Sequence, residues 1–257
     1  MHNRNAFLRF VFAVAGLCGL LAALGACGSS SGGACDTVLD EGTLNRLVLS
    51  LDESVAMQPG QERAFSLGVV ACCTYLQPVE ACATWSLEPA KGATIDKESG
   101  VLRLDGTTPS GSVYTVSADV EEGRRTVSVD VHVYTTEADR LVGTWKEVAQ
   151  FACDSGAEEI PEQIIEELRF QADGGFSVTW APIEVYKDYW GTCTYVTGES
   201  TIDLAVSGGN YVPDDLDGRG SFQLDEQGRL ILSDVWLGHP QGVTGPARCG
   251  HRFSRLD

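Results

Sequence analysis

The sequence predicts an all-β protein in two units, and three observations carry that expectation. Short segments alternate apolar and polar residues with a period of two. Turn signals rich in Gly, Asp, Asn and Pro recur between them. Long stripes of apolar residues at helical spacing are few. Of the 257 residues, about 220 follow a Gly/Ser-rich stretch near the N-terminus, which suits two domains of about 100 residues each better than one.

The first element is a leader. Residues 1–10, MHNRNAFLRF, carry Arg4 and Arg9 and no acid, and an uncharged apolar run extends from Phe10 to Ala26. A basic start, a short apolar run and small residues at its end are the anatomy of a secretory signal; a membrane span wants about 20 apolar residues and a basic stop. The run ends Leu24-Gly25-Ala26-Cys27, followed by Gly28-Ser29-Ser30-Ser31-Gly32-Gly33. It resembles a bacterial lipoprotein signal, in which a Leu, two small residues and a Cys mark the cleavage site. The resemblance implies that residues 1–26 are removed and that the Cys27 sulfur takes a diacylglycerol. Acyl chains such as palmitate then anchor the protein in the membrane, and residues 27–41 serve as a flexible tether. Because Gly28, not Asp, follows Cys27, the resemblance points to the outer membrane of a Gram-negative cell envelope.

Without the leader the chain has 16 basic against 36 acidic residues, a net charge near −20. That excludes nucleic acid as a partner and any electrostatic footprint on anionic lipid. It fits a solvated surface on an anchored protein.

Residues 42–136 form the first β unit. In SVYTVSADVEEGRRTVSVDVHVY, Tyr114, Val116, Ala118 and Val120 alternate with polar residues. Glu121-Glu122-Gly123-Arg124 make a turn. Val127, Val129, Val131 and Val133 of the return strand then share one buried face, with His132 on the polar side. Further strands are expected in NRLVLSLDESVAM, RAFSLGVVACCTY and CATWSLEP. Trp85, Ala93-Thr94-Ile95-Asp96, Ser99-Gly100-Val101-Leu102 and Tyr114-Thr115-Val116-Ser117-Ala118 together resemble bacterial immunoglobulin-like domains. The resemblance implies a β-sandwich with Trp85 in its core, serving as a spacer or interaction module. In a secreted context Cys35, Cys72, Cys73 and Cys82 are expected in disulfides: one of Cys72 and Cys73 with Cys82, the other with Cys35.

Residues 139–257 form the second unit. Seven or eight strands in sequential hairpins, separated by turns such as Ala172-Asp173-Gly174-Gly175 and Asp225-Glu226-Gln227-Gly228, predict an up-and-down β-barrel. A short helix is expected in EEIPEQIIEEL, where Ile164, Ile165 and Leu168 fall at helical offsets. In a closed meander the first and last strands are antiparallel neighbours, which pairs Cys153 with Cys249 and leaves Cys193 over. Gly143-Thr144-Trp145, FQADGGFSVTW, YWGTCTY and the terminal CGHRFSRL resemble lipocalin-like domains. The resemblance implies that Trp145 closes the base of the barrel under a basic residue, Arg252 or Arg255. It also implies a cup for a small hydrophobic ligand, with Trp180, Tyr186, Tyr189, Trp190, Tyr195 and Trp236 as candidates for its wall.

Catalytic chemistry is not apparent. Three histidines follow the leader, and no nucleophile elbow, zincin helix, phosphate loop or dinucleotide fingerprint is present. Cys249-Gly250-His251 reads as a bonded cysteine beside a surface histidine. The acidic run Pro213–Gly218 cannot fill the first and twelfth positions of a calcium loop, and Glu166 and Glu167 would face opposite ways on a strand. The expectation is a non-enzymatic, lipid-anchored envelope protein without cofactor or metal that binds a protein or a small hydrophobic ligand. The alternative is a carrier holding a small hydrophobic ligand.

Overall fold

The structure is a computed structural model that describes residue 35 and residues 38–51, 54–71, 75–183, 186–196 and 198–256. The leader, Cys27, most of the tether, Cys72 and Cys73 lie outside the described residues. A single turn of helix, α1 (Glu41–Leu44), is capped by Asp40, whose carboxylate accepts from the Thr43 amide. Ten strands follow in the first unit: β1 (Leu47–Val48), β2 (Ser54–Met57), β3 (Glu62–Ala64), β4 (Gly68–Ala71), β5 (Tyr75–Pro78), β6 (Ala83–Glu88), β7 (Ala93–Ile95), β8 (Val101–Leu104), β9 (Val113–Val120) and β10 (Arg125–Val133). They form three small sheets, ordered β1-β4-β5, β2-β10-β9-β6 and β3-β8-β7. The alternation in β9 and β10 is realised: Tyr114, Val116, Ala118, Val120 and the four valines of β10 are all buried, while β2 runs parallel to β10 along its other edge.

These sheets share one hydrophobic core that includes Trp85, Leu102 and Val131. Gly100 makes room for the tryptophan: its φ is +69°, and a Cβ there would stand 2.6 Å from the Trp85 ring. Cys82 is joined to Cys35, not to Cys72 or Cys73 as expected. The Cys82 carbonyl accepts from the Glu121 amide, and Leu39 donates to the Glu121 carboxylate. These bonds bring the incoming chain to the β9–β10 turn, beside Cys82.

The second unit has nine strands: β11 (Gly143–Phe151), β12 (Glu158–Glu159), β13 (Glu167–Phe170), β14 (Gly175–Thr179), β15 (Tyr189–Val196), β16 (Thr201–Gly209), β17 (Arg219–Leu224), β18 (Leu230–Ser233) and β19 (Gly250–Arg255). From β11 and β13 to β19 each pairs antiparallel with the next, and β11 pairs with β19 as well, so the sheet nearly closes on itself. A bulge between Glu147 and Ala149 shifts the β11–β19 register. The interior is a second hydrophobic core in which Trp145, Phe176, Tyr189 and Phe253 are at most 1% exposed.

The helix expected after Ala157 is absent. Glu158–Glu159 pair with Gln150 and Phe151, and the Ile165 carbonyl accepts from the Glu147 amide. Ile165 and Leu168 are both fully buried in the sheet interior. Their insertion and these cross-chain bonds outweigh a helix that Pro161 already weakens.

Strand direction gives the nearly closed sheet two distinct ends. At one end lie Gly143, the β13–β14 turn, the β15–β16 turn and Arg255. The linker from β10 enters there, and Ser54 and Ser110 of the first unit donate to Asp173 and Asp139. The other end collects Phe151, Trp180, Tyr189 and the long connection from β18 to β19.

Candidate functional site

At the end with Arg255, Trp145 is sealed. The Arg255 guanidinium carbon lies 4.4 Å from the centroid of the Trp145 ring, and its nitrogens donate to the carbonyls of Val142 and Arg140. The indole N–H donates to the Leu141 carbonyl. Of the two basic residues expected at this position, Arg255 takes it; Arg252 lies over Phe151 and pairs with Glu158.

The other end carries the candidate site, a cleft of about 420 Å³. Its walls come from Glu159 of β12 and the irregular residues 160–163 after it, from Gln150 and Trp180 at strand ends, and from the Gly- and Pro-rich connection Gly238–Arg248. An ion pair between Arg248 and Glu159, 2.5 Å apart, ties the two walls together, and the Cys153–Cys249 disulfide fastens the base of the connection to the chain just after β11. His239 lies in the wall with its Nε2 buried and without a hydrogen-bond partner.

Beneath the cleft is a polar cluster that sequence reading missed. Glu147 and His251, both fully buried, meet with Oε1 and Nδ1 2.6 Å apart. His251 is therefore not the surface residue expected beside Cys249; β19 turns it inward with Phe253, two positions on. Every other position of the pair is used. The His251 Nε2 accepts from the Leu237 amide at 3.2 Å, and the second Glu147 oxygen accepts from the Ile165 amide at 2.9 Å. The Trp236 ring stacks on the imidazole with centroids 5.3 Å apart, and its N–H donates to Asp215. Pairing and hydrogen bonding offset the cost of enclosing these groups, so the cluster braces the site rather than offering a reactive atom.

The aromatic residues expected in a ligand wall divide. Tyr189 is fully buried and donates its hydroxyl to the Leu237 carbonyl at 2.8 Å; burial, with Asp188, Glu147 and Asp215 nearby, holds that hydroxyl's pKa well above its ordinary value. Trp180 packs against Tyr189 and Tyr211 and borders the cleft. Trp236 is buried on His251. Tyr195 lies toward the opposite end of β15, against Phe222. Trp190 corrects the expectation: the alternation that turns Tyr189 inward turns its neighbour outward, 40% exposed, over Gly208. Tyr186 is likewise exposed and donates to Asp188. The leftover Cys193 is buried in the sheet interior, where burial first and Asp203 second push its thiol up to about 12.

In the acidic run, Asp215 serves Trp236, and Asp217 accepts from the Arg219 amide. Among the described residues no group of three or more His, Cys, Asp or Glu is placed to hold a metal ion. Glu166 and Glu167 pair with Lys146 and Arg169 respectively.

No protein-family model matches the chain, and no curated protein matches it. Among solved structures it is similar to a Bacteroides ovatus protein of unknown function from structural genomics. The two are 7% identical over 79% of this chain and 89% of that one, with a TM-score of 0.25.

Proposed function

We propose that this is a lipid-anchored protein of the bacterial envelope that binds a partner without catalysing a reaction. In this reading Cys27 carries the anchor and residues 42–136 form an immunoglobulin-like spacer. Residues 139–257 form a lipocalin-like barrel whose outward end does the binding. The observation that carries it is the occupied interior: Trp145, Phe176, Tyr189 and Phe253 fill the volume in which a carrier would hold its ligand, while an open cleft lies at the sheet's end. The antiparallel strand order, the β11–β19 pairing and Arg255 over Trp145 support the barrel reading. The engaged lone pairs of Glu147 and His251 and the raised Cys193 thiol support a non-enzymatic role.

The chain path supports the orientation. Cys35 is bonded at the β9–β10 turn, β10 then runs to the linker, and β11 runs on from the linker to the cleft. The cleft thus lies at the end of the second unit that faces away from the linker. Titration with N-phenyl-1-naphthylamine tests the filled interior. Absence of saturable binding is expected, and one-to-one binding displaced by palmitate would favour the carrier instead. Labelling with radioactive palmitate tests the anchor: label lost in Cys27→Ala supports it, and label retained there refutes it.

A further inference from the structure

The connection that walls the cleft is fastened at both ends, by different means. At its far end Cys249 is covalently bonded to Cys153. At its near end Leu237 is held by two buried side chains, its carbonyl by the Tyr189 hydroxyl and its amide by Nε2 of His251. Because Nε2 accepts that bond, its lone pair is unprotonated, and the ring's single proton sits on Nδ1 and is donated to Glu147. The closed arrangement therefore requires a neutral imidazole.

We propose that His251 is a proton-operated latch on the cleft: a solvent proton taken up at Nε2 sets two N–H donors against each other, releases the Leu237 amide, and loosens residues 237–246, while the Trp236 backbone, paired with Asp217, and Cys249 stay fixed. The positive-φ glycines Gly238 and Gly242 supply flexible points within the freed stretch. Five titratable groups stand around the latch. Glu147 of β11 touches the ring directly, and Asp215, from the β16–β17 connection, holds the Trp236 that stacks on it. Tyr189 of β15, with Asp188 beside it, stands behind the Leu237 carbonyl, and His239 of the connection packs edge-on against Trp236. The held amide and a solvent proton therefore compete for one lone pair, that of Nε2. Histidine is the side chain suited to such competition near neutral pH.

The inference rests on the cleft being the binding site, but the latch is read without any ligand. A cleft that binds nothing would overturn the proposed function and leave the latch standing. The experiment is hydrogen exchange of amides 237–246 in the full chain at about pH 7.5 and about pH 5.5, corrected for intrinsic rates. Protection of the Leu237 amide is expected to fall at least about tenfold at the lower pH. In His251→Gln the carboxamide oxygen accepts from Leu237 and its NH₂ donates to Glu147, with nothing to protonate, so protection is expected to be equal at both pH values. Unchanged protection in the native chain, or an equal loss in the variant, overturns the latch. Nitrogen-15 shifts of the His251 ring give a readout that needs no variant. Nε2 must be unprotonated at the higher pH and titrate together with the loosening; titration without loosening also overturns it.

Discussion

Trp145 and Arg255 are direct cross-strand partners on β11 and β19, with the guanidinium 4.4 Å above the buried indole. The contact joins the first strand of the nearly closed sheet to the last. Removing the cation leaves the Val142 and Arg140 carbonyls without their donor, so Arg255→Ala is expected to cost about 1–3 kcal/mol in denaturant unfolding. Trp145→Ala, which empties a fully buried site, is expected to cost about 3–5 kcal/mol.

The disulfide between Cys153 and Cys249 spans 96 residues of sequence and fixes one end of the cleft wall. Replacing both cysteines by alanine is expected to lower stability by about 2–5 kcal/mol. Exchange of amides in residues 238–249 should rise more than in β13–β15. Equal change throughout would mean that the bond acts only on the unfolded chain.

Gly100 and Trp85 form a matched pair in the first unit, because the glycine has positive φ and its missing Cβ leaves space for the ring. Gly100→Ala is expected to destabilise by about 2–4 kcal/mol, combining the strained φ with the overlap. In a double-mutant cycle with Trp85→Ala the two losses should be less than additive, since removing the ring relieves the overlap.

The Cys193 thiol is held neutral, with its pKa raised from 9.0 to about 12. Iodoacetamide at neutral pH should leave it unlabelled in the folded protein and label it after denaturation. An acid whose pKa is raised by folding stabilises fully below its unfolded value, and the advantage is lost as pH rises from about 9 toward about 12. Stability of the native chain should therefore fall more steeply over that range than that of Cys193→Ala.

Much of the fold was legible because strand alternation is a local signal. The β9–β10 hairpin and the turns of the second unit follow directly from period-two patterns, and the Cys153–Cys249 contact follows from the closure of a meander. The helix placed on EEIPEQIIEEL is absent although Ile165 and Leu168 stand at helical spacing: Leu168 turns inward with Phe170 on β13, and Ile165, ahead of that strand, is held by long-range bonds with Glu147. The cleft was not legible, since it is assembled from three stretches distant in sequence. The Glu147–His251 pair did leave a trace: Trp145, Glu147 and Ala149 share one face of β11, as His251 and Phe253 share one face of β19. A titratable residue at an inward position on each of two neighbouring strands is a signal for a buried pair. The choice of Arg255 over Arg252 needed the register, because only Arg255 stands opposite Trp145.

In the proposed function the second unit binds at its end and holds nothing inside. Native mass spectrometry of the protein purified from membranes under gentle detergent tests it most directly. The expected result is a polypeptide modified at Cys27 and free of any other bound molecule once detergent is removed. A stoichiometric lipid or hydrophobe, retained by the folded protein and released only on unfolding, would contradict it.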